Sequence, residues 1–531
     1  MKATRKLLAL LLALLLTAAL TVPALADPQP AAPATYTITI ENNKPGHTYQ
    51  AYQVFAGDLA GNVLSNIQWG TGVDNIGLLS ALKGDETIGS DFAECTTAAD
   101  VAKVLAGFES NSANLDAFAK VVAANLGTVT GTSVQGDGNY TIGNLPAGYY
   151  FVKDSAAVTG QDAQTKFILN LTDNETVTPK SGTPTVDKQV QDETADAEEG
   201  ADESGWGETA DHAINESFQF KLIAKIPEDA DMNAYEHYYV NFVDTWSAGV
   251  TFEKIVSVTV NSTELNKGQY TVTPEEPTSG TSMNITINDI IPHLGEGNDL
   301  AGSTVTVIYK AHLNENATVN NASGSTNNKN TVKLEFSNNP YWNGEGTPDK
   351  GETPEDTVWV FTYQVNNTKV DASNENKPLA GAGFKLYSDE NCGQEIALIY
   401  DETKQAYRPV KGEEQGVEMI SAETTGVFNI IGLDAGTYYL KETTVPAGYN
   451  EMSPNPFVVT IKATHEETNA TTPNVTLAEE STMQNQIKNN KGATLPETGG
   501  MGTTVFYVLG GILAVGAGVL LVARRRMRGE R

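Results

Sequence analysis

The stretch LDAGTYYLKE, Leu433 to Glu442, reads from Gly436 onward as a β-strand. Side chains alternate across a strand, so Tyr438, Leu440 and Glu442 share one face. If Leu440 points inward, so does Glu442, and a buried carboxylate is costly unless paired or protonated and hydrogen-bonded. The same string recurs without gaps as LPAGYYFVKD, Leu145 to Asp154: glycine, aromatic pair, apolar residue, lysine, acid. Two related β modules are therefore expected, and around them the chain reads as mainly β.

The module holding Glu442 spans 353–494, with further strands at Val358 to Val365, Gly383 to Tyr387, Gly426 to Ile431 and Phe457 to Ile461. Upstream, 179–352 carries strands of five to seven residues, among them Phe218 to Leu222, Tyr238 to Val243, Met283 to Ile287, Thr304 to Tyr309 and Thr331 to Phe336. These suggest a second β-sandwich. An acidic run from Asp192 to Asp211 reads as a flexible loop. The first module, 27–178, alternates at Tyr36 to Ile40 and again from Tyr140. Between them lies a helical insertion, marked by Thr97 and Asp100 as a capping box and by a second helix through Leu115, Phe118, Val121 and Val122.

The chain has 531 residues, a net charge of -32 and two cysteines, Cys95 and Cys392. That charge excludes nucleic acid as a partner class and predicts a soluble, self-repelling surface. Lys2, Arg5 and Lys6, the apolar run Leu7 to Val22 and Ala24-Leu25-Ala26 form a secretory signal, 1–26, with maturation near Asp27. An exported chain of this size would often use disulfides. Two cysteines so far apart read as isolated core residues, so any covalent reinforcement must come from elsewhere. The six histidines are scattered without metal-ligand spacing, and no nucleophile elbow or phosphate loop is present. Neither a cofactor nor enzymatic turnover is expected.

The residues 495–531 combine Leu495, Pro496, Glu497, Thr498 and Gly499 with an uncharged membrane-length run, Val505 to Ala523, and an arginine tail. L-P-x-T-G in this setting resembles the cell-wall sorting signal of Gram-positive surface proteins. The resemblance implies that a sortase cleaves between Thr498 and Gly499 and passes the Thr498 carbonyl to an amine. The chain is then a membrane-held precursor on its way to the cell wall peptidoglycan or a pilus.

In the third module, Lys369 follows a strand and Asn489 is in phase with Ile487; Asn485 shares that phase and is the alternative. A lysine desolvated among apolar groups has a lowered pKa and a free lone pair. With a protonated Glu442 polarising an Asn carboxamide, a Lys–Asn isopeptide bond can form with loss of ammonia. KETTVPAGYN, Lys441 to Asn450, resembles the acidic box of B-type collagen-adhesin-like (CnaB-type) domains, which carry this bond with Lys369, Glu442 and Asn489 in the corresponding roles. Tandem Ig-like, CnaB-type β-sandwiches are implied.

The middle module resembles that of sortase-assembled backbone pilins, which implies a bond between Lys188 and Asn330 with Asp244 as the acid. Asp244 is in phase with Val240 and Phe242, and Asn330 with Val332 and Leu334. In the first module Asp154 takes the acid's place, but Lys44 lies in a turn beyond the first strand, so no bond is expected there. Lys180, in Val177-Thr-Pro-Lys180, resembles the pilin motif, with Thr178 where tyrosine is usual. The resemblance implies that Lys180 of one copy is joined to Thr498 of the next by a class C sortase. The expected product is a shaft of the chain's own copies, with minor pilins and peptidoglycan as further partners. A wall-anchored adhesin or minor pilin is the alternative.

Overall fold

A computed structural model describes residues 34–493, apart from 111, 180–181, 194–203, 320–327 and 470–471, together with Leu495 and 502–528. The described residues are dominated by strands, and they divide into two compact units. One comprises residues up to Gly182 with 229–237 and 337–351; the other holds the remainder. Two segments read as part of the middle module thus belong to the first unit.

In the first unit, one sheet runs in the order Val134–Gln135, Tyr140–Pro146, Thr35–Ile40, Glu175–Val177. The second places Tyr49–Ala60 between Val63–Trp69 and Gly148–Asp154, with Lys166–Leu171 beyond. Alternation along Thr35–Ile40 buries Ile38 and Ile40, which pack with Tyr49, Tyr140, Tyr150 and Leu171 between the sheets. The opening strand lies parallel to Glu175–Val177, pairing Ile38 with Glu175.

Among the described residues the insertion contains four helices rather than the two expected. Ala98–Leu105 begins with the full Thr97–Asp100 capping box, and Ala113–Ala124 buries Phe118 and Val122. Asn75–Gly84 escaped notice because its buried stripe is only Leu78 and Leu82, with Gly77 in its first turn. It starts because Asp74 accepts from the Gly77 N–H. The short Gly89–Phe92 helix follows.

In the second unit, the middle sandwich has a sheet ordered Trp206–Gly207, Thr185–Gln191, Ser217–Lys225, Thr304–Leu313, Val250–Val260, Thr263–Glu264. Facing it, Val240–Trp246 lies between Lys329–Ser337 and Ser282–Ile287. Thr304–Leu313 alternates buried and half-buried along its whole length, turning Val305, Val307, Tyr309 and Ala311 inward. The described part of the acidic run is not a loop throughout. Trp206–Gly207 and Thr209–Asp211 are strands, and Asp211 is fully buried.

The run Val358 to Val365, read as one strand, is divided at the buried Thr362, whose hydroxyl donates to the Leu433 carbonyl at 3.1 Å. Asp356–Phe361 completes the middle sandwich beside Lys329–Ser337, and Tyr363–Asp371 opens the third. There the opening strand is flanked by Ile430–Leu433 and, in parallel, by the closing strand Gln484–Asn489. The opposite sheet centres on Gly383–Tyr387 and Gly436–Thr444. Phe384, Phe428, Leu440, Val459 and Ile487 fill the space between.

Among the described residues one helix, Thr504–Arg528, is long and apolar enough to cross a membrane. Cys95 and Cys392 are both free thiols.

Candidate functional site

The strand register brings Lys369, Glu442 and Asn489 to one point. Lys369 pairs with Ile487 and Asp371 with Asn489 on parallel neighbours, while Glu442 comes from the facing sheet opposite Phe384. The Lys369 and Glu442 side chains are wholly shielded from solvent, as is Asn489. Lys369 Nζ donates to Asn489 Oδ1 at 2.5 Å and lies 3.2 Å from Glu442 Oε1. Asn489 Nδ2 donates to that same Oε1 at 2.8 Å.

The acid's other oxygen, Oε2, accepts from the Met452 N–H at 2.8 Å, which fixes the carboxyl plane. The Phe384 ring lies 5.4 Å from Nζ. Burial pushes the Lys369 amine down, against the opposing pull of Glu442. Gly426 lets a neighbouring loop lie against this strand. Its carbonyl accepts from the Lys369 N–H at 2.8 Å; its φ is +68°, and a Cβ there would sit 2.5 Å from the Lys369 oxygen. Asn485, the alternative partner, instead donates to Asn367 Oδ1 at 3.0 Å and to the Thr482 carbonyl.

In the middle sandwich Lys188, Asp244 and Asn330 are all fully buried. Lys188 Nζ donates to Asp244 Oδ1 at 2.6 Å. Between Lys188 and Asn330 stands a residue that sequence reasoning passed over, Tyr309. Its hydroxyl donates to Asp244 Oδ2 at 2.5 Å and accepts from Asn330 Nδ2 at 2.5 Å, with Lys188 Nζ at 3.4 Å. Asn330 Oδ1 is buried without a hydrogen-bond partner among the described residues. Burial lowers the Lys188 amine, opposed by Asp244, and pushes the Tyr309 phenol well above its usual value. The signal for Tyr309 was available: it continues the inward phase of Val305 and Val307.

The first unit is built differently. Asp154 is fully buried, but its Oδ2 meets His47 Nδ1 at 2.6 Å, while His47 Nε2 meets Asp162 Oδ2 at 2.9 Å. Lys44 bonds Asp162 Oδ1 and the Gln161 carbonyl, both at 3.0 Å. A histidine between two aspartates therefore stands beside the acid that aligns with Glu442.

Burial lowers the His47 pKa, but hydrogen bonding and charge from Asp154 and Asp162 outweigh it, so the value rises above 6.5. A raised folded pKa stabilises fully below the unfolded value and ceases to do so as pH rises through the folded value. The first unit should therefore lose stability as pH climbs past 6.5, and His47→Gln should flatten that dependence in pH-resolved melts. An unchanged slope would remove His47 from this role.

Lys180 and Pro496, Glu497, Thr498 and Gly499 lie outside the described residues, while Leu495 is 83% exposed. Residues 363–476 match the SpaA family, described as a prealbumin-like fold domain. Residues 487–527 match the LPXTG cell wall anchor motif. The chain is a cell wall-anchored surface protein, held in the membrane as a precursor. It is 27% identical over 270 residues to the trypsin-resistant surface T6 protein of Streptococcus pyogenes serotype M6, a match covering 41% of this chain and 48% of that relative. The chain thus spans about half the length of the relative it matches.

Among solved structures, the full-length major pilin SpaD of Corynebacterium diphtheriae is 20% identical, with a TM-score of 0.44, over 86% of this chain and 98% of that one. The T6 backbone pilin of S. pyogenes is 17% identical, with a TM-score of 0.48, over 87% and 100%.

Proposed function

We propose that this anchored protein is the shaft subunit of a covalently polymerised pilus, stiffened by two self-formed Lys–Asn isopeptide bonds. The observation that carries the reading is the buried Lys369–Glu442–Asn489 triad, which ties the first strand of its module to the last. One carboxyl oxygen, Glu442 Oε1, touches both nitrogens that must exchange a proton. Burial favours the neutral Lys369 amine, which keeps its lone pair free.

The Lys369 Nζ lone pair attacks Asn489 Cγ, forming the Nζ–Cγ bond. Glu442 takes a proton from Nζ and delivers one to Nδ2, the Cγ–Nδ2 bond breaks and ammonia leaves. The acid is restored, and the site turns over once. Lys188 and Asn330 follow the same course in the middle sandwich. Asp244 supplies the carboxyl there, and Tyr309 links it to the Asn330 amide.

Between copies, a class C sortase would join Lys180 to Thr498, leaving the membrane helix and arginine tail behind. Intact mass of the purified chain tests the internal chemistry. The expected value is the sequence mass less two molecules of ammonia, with a cross-linked peptide for each pair after digestion. A mass equal to the plain sequence would sink the isopeptide reading.

A further inference from the structure

The end of the strand Thr185–Gln191, the strand Thr209–Asp211 and the hairpin strand Ala463–Asn469 converge where the middle sandwich runs into the third. Each delivers one titratable side chain to a common point. Ligand atoms of Asp192, Asp211 and His465 all lie within 4.8 Å of one another, and the three side chains are 0% exposed. His465 Nε2 stands 3.1 Å from Asp192 Oδ2 and 3.9 Å from Asp211 Oδ2.

The surroundings hold these groups in place. Thr209 Oγ1 lies 2.8 Å from His465 Nδ1, which turns Nε2 toward the carboxylates. The Tyr363 hydroxyl donates to Asp211 Oδ2 at 2.5 Å. Asp211, fully buried, is also bonded by the Asp434 carboxyl, while Asp192 is bonded by His465. The three side chains thus bring carboxylate oxygens and an imidazole nitrogen to one enclosed point.

We propose that this junction is a binding site for a divalent transition metal of the zinc class, with Asp192, Asp211 and His465 as its ligands. A tetrahedral ion with bonds of about 2.0–2.1 Å sets its ligand atoms roughly 3.4 Å apart, between the two separations seen here. A mixed set of one imidazole and two carboxylates suits zinc better than calcium or magnesium, which prefer oxygen alone. Thr209 and Tyr363 are the outer partners that orient such ligands. Asp192 and Asp211 belong to the middle sandwich and His465 to the third, so the ion would clasp one to the other across the joint. Nothing in the spacing of the histidines could show this, because the three ligands are drawn from segments far apart in the chain.

The test is calorimetric titration of the purified full chain, stripped with chelator, using zinc chloride, with calcium and magnesium chlorides as comparators. One equivalent of zinc should bind and raise the thermal transition of this unit. Asp211→Asn and His465→Gln should each weaken binding by at least about tenfold, and circular dichroism establishes that the variants are folded. Should either fail to fold, Thr209→Val gives a milder reading of the same loss. His212→Gln should bind normally, since the His212 Nε2 is turned to the Gln191 carbonyl at 2.7 Å and supplies no ligand atom to this cluster. Failure of the folded wild-type chain to take up zinc would overturn the proposal. So would uptake lost only in His212→Gln, or calcium bound in preference to zinc. Polymerisation by sortase plays no part in any readout.

Discussion

On the proposed linkage, co-expression of the chain with a class C sortase should yield a high-mass ladder in denaturing gels, and Lys180→Ala should reduce it to monomer. The reason begins with the residues before Lys180. Glu175–Val177 lies parallel to the opening strand Thr35–Ile40, and the Thr178 hydroxyl donates to Glu41 Oε2 at 3.0 Å. A sheet edge therefore anchors the segment leading into the lysine. On the donor side, Leu495, the first residue of the motif a sortase would grip, is exposed.

The step exchanges one acyl bond for another. In the proposed linkage the sortase thiolate would displace Gly499 as an amine and hold the Thr498 carbonyl as a thioester. Lys180 Nζ would then attack that carbon, forming the N–C bond as the C–S bond breaks and the thiol is regenerated. One acceptor per subunit predicts complete loss of the ladder rather than a shortening. Lys166 is the chemical competitor, because burial and nearby Lys120 lower its amine to about 8. Its Nζ, however, is turned inward to the Ala234 carbonyl at 3.2 Å. A ladder that persists in Lys180→Ala would overturn the choice of acceptor.

The triad of the third module was legible because strand phase is a two-residue code. Leu440 and Ile487 are apolar, so Glu442 and Asn489, each two positions on, had to face inward with them. The same code placed Asp244 and Asn330. It was equally able to place Tyr309, which was missed because an inward tyrosine reads as ordinary core until its hydroxyl partners are known. What phase cannot supply is long-range convergence. The acidic run looked like a solvated loop, because charge density says nothing about a histidine more than two hundred residues away. Within it, Asp192 and Asp211 are among the most deeply buried acids. The division at Thr362 was hidden for a similar reason: alternation continues through it, and only the partner strands change.

Glu442→Gln should leave the third module folded but unlinked. Its mass should be one ammonia heavier than wild type, allowing for the substitution, and its unfolding temperature should fall by roughly 15–20 °C. The carboxamide keeps the size of the acid but cannot accept the Nζ proton, so Lys369 and Asn489 remain unreacted. The bond would close a loop of 120 residues. By analogy with disulfides, removing a link around a loop of that order costs about 4–5 kcal/mol. For a domain of this size each kcal/mol shifts the transition by roughly 4 °C.

The mechanical consequence is larger still. The opening and closing strands lie parallel, with Lys369 near the end of one and Asn489 at the end of the other. Pulling on the chain from both sides loads Tyr363 to Lys369, then the new bond, then Asn489 onward. Everything from 370 to 488, including nearly the whole core, lies outside that path. In wild type, single-molecule extension should therefore show no unfolding step for this module, whereas Glu442→Gln should restore one. A Glu442→Gln chain that still lacks its ammonia would show that another group performs the proton transfer, because the bond would then have formed without this acid.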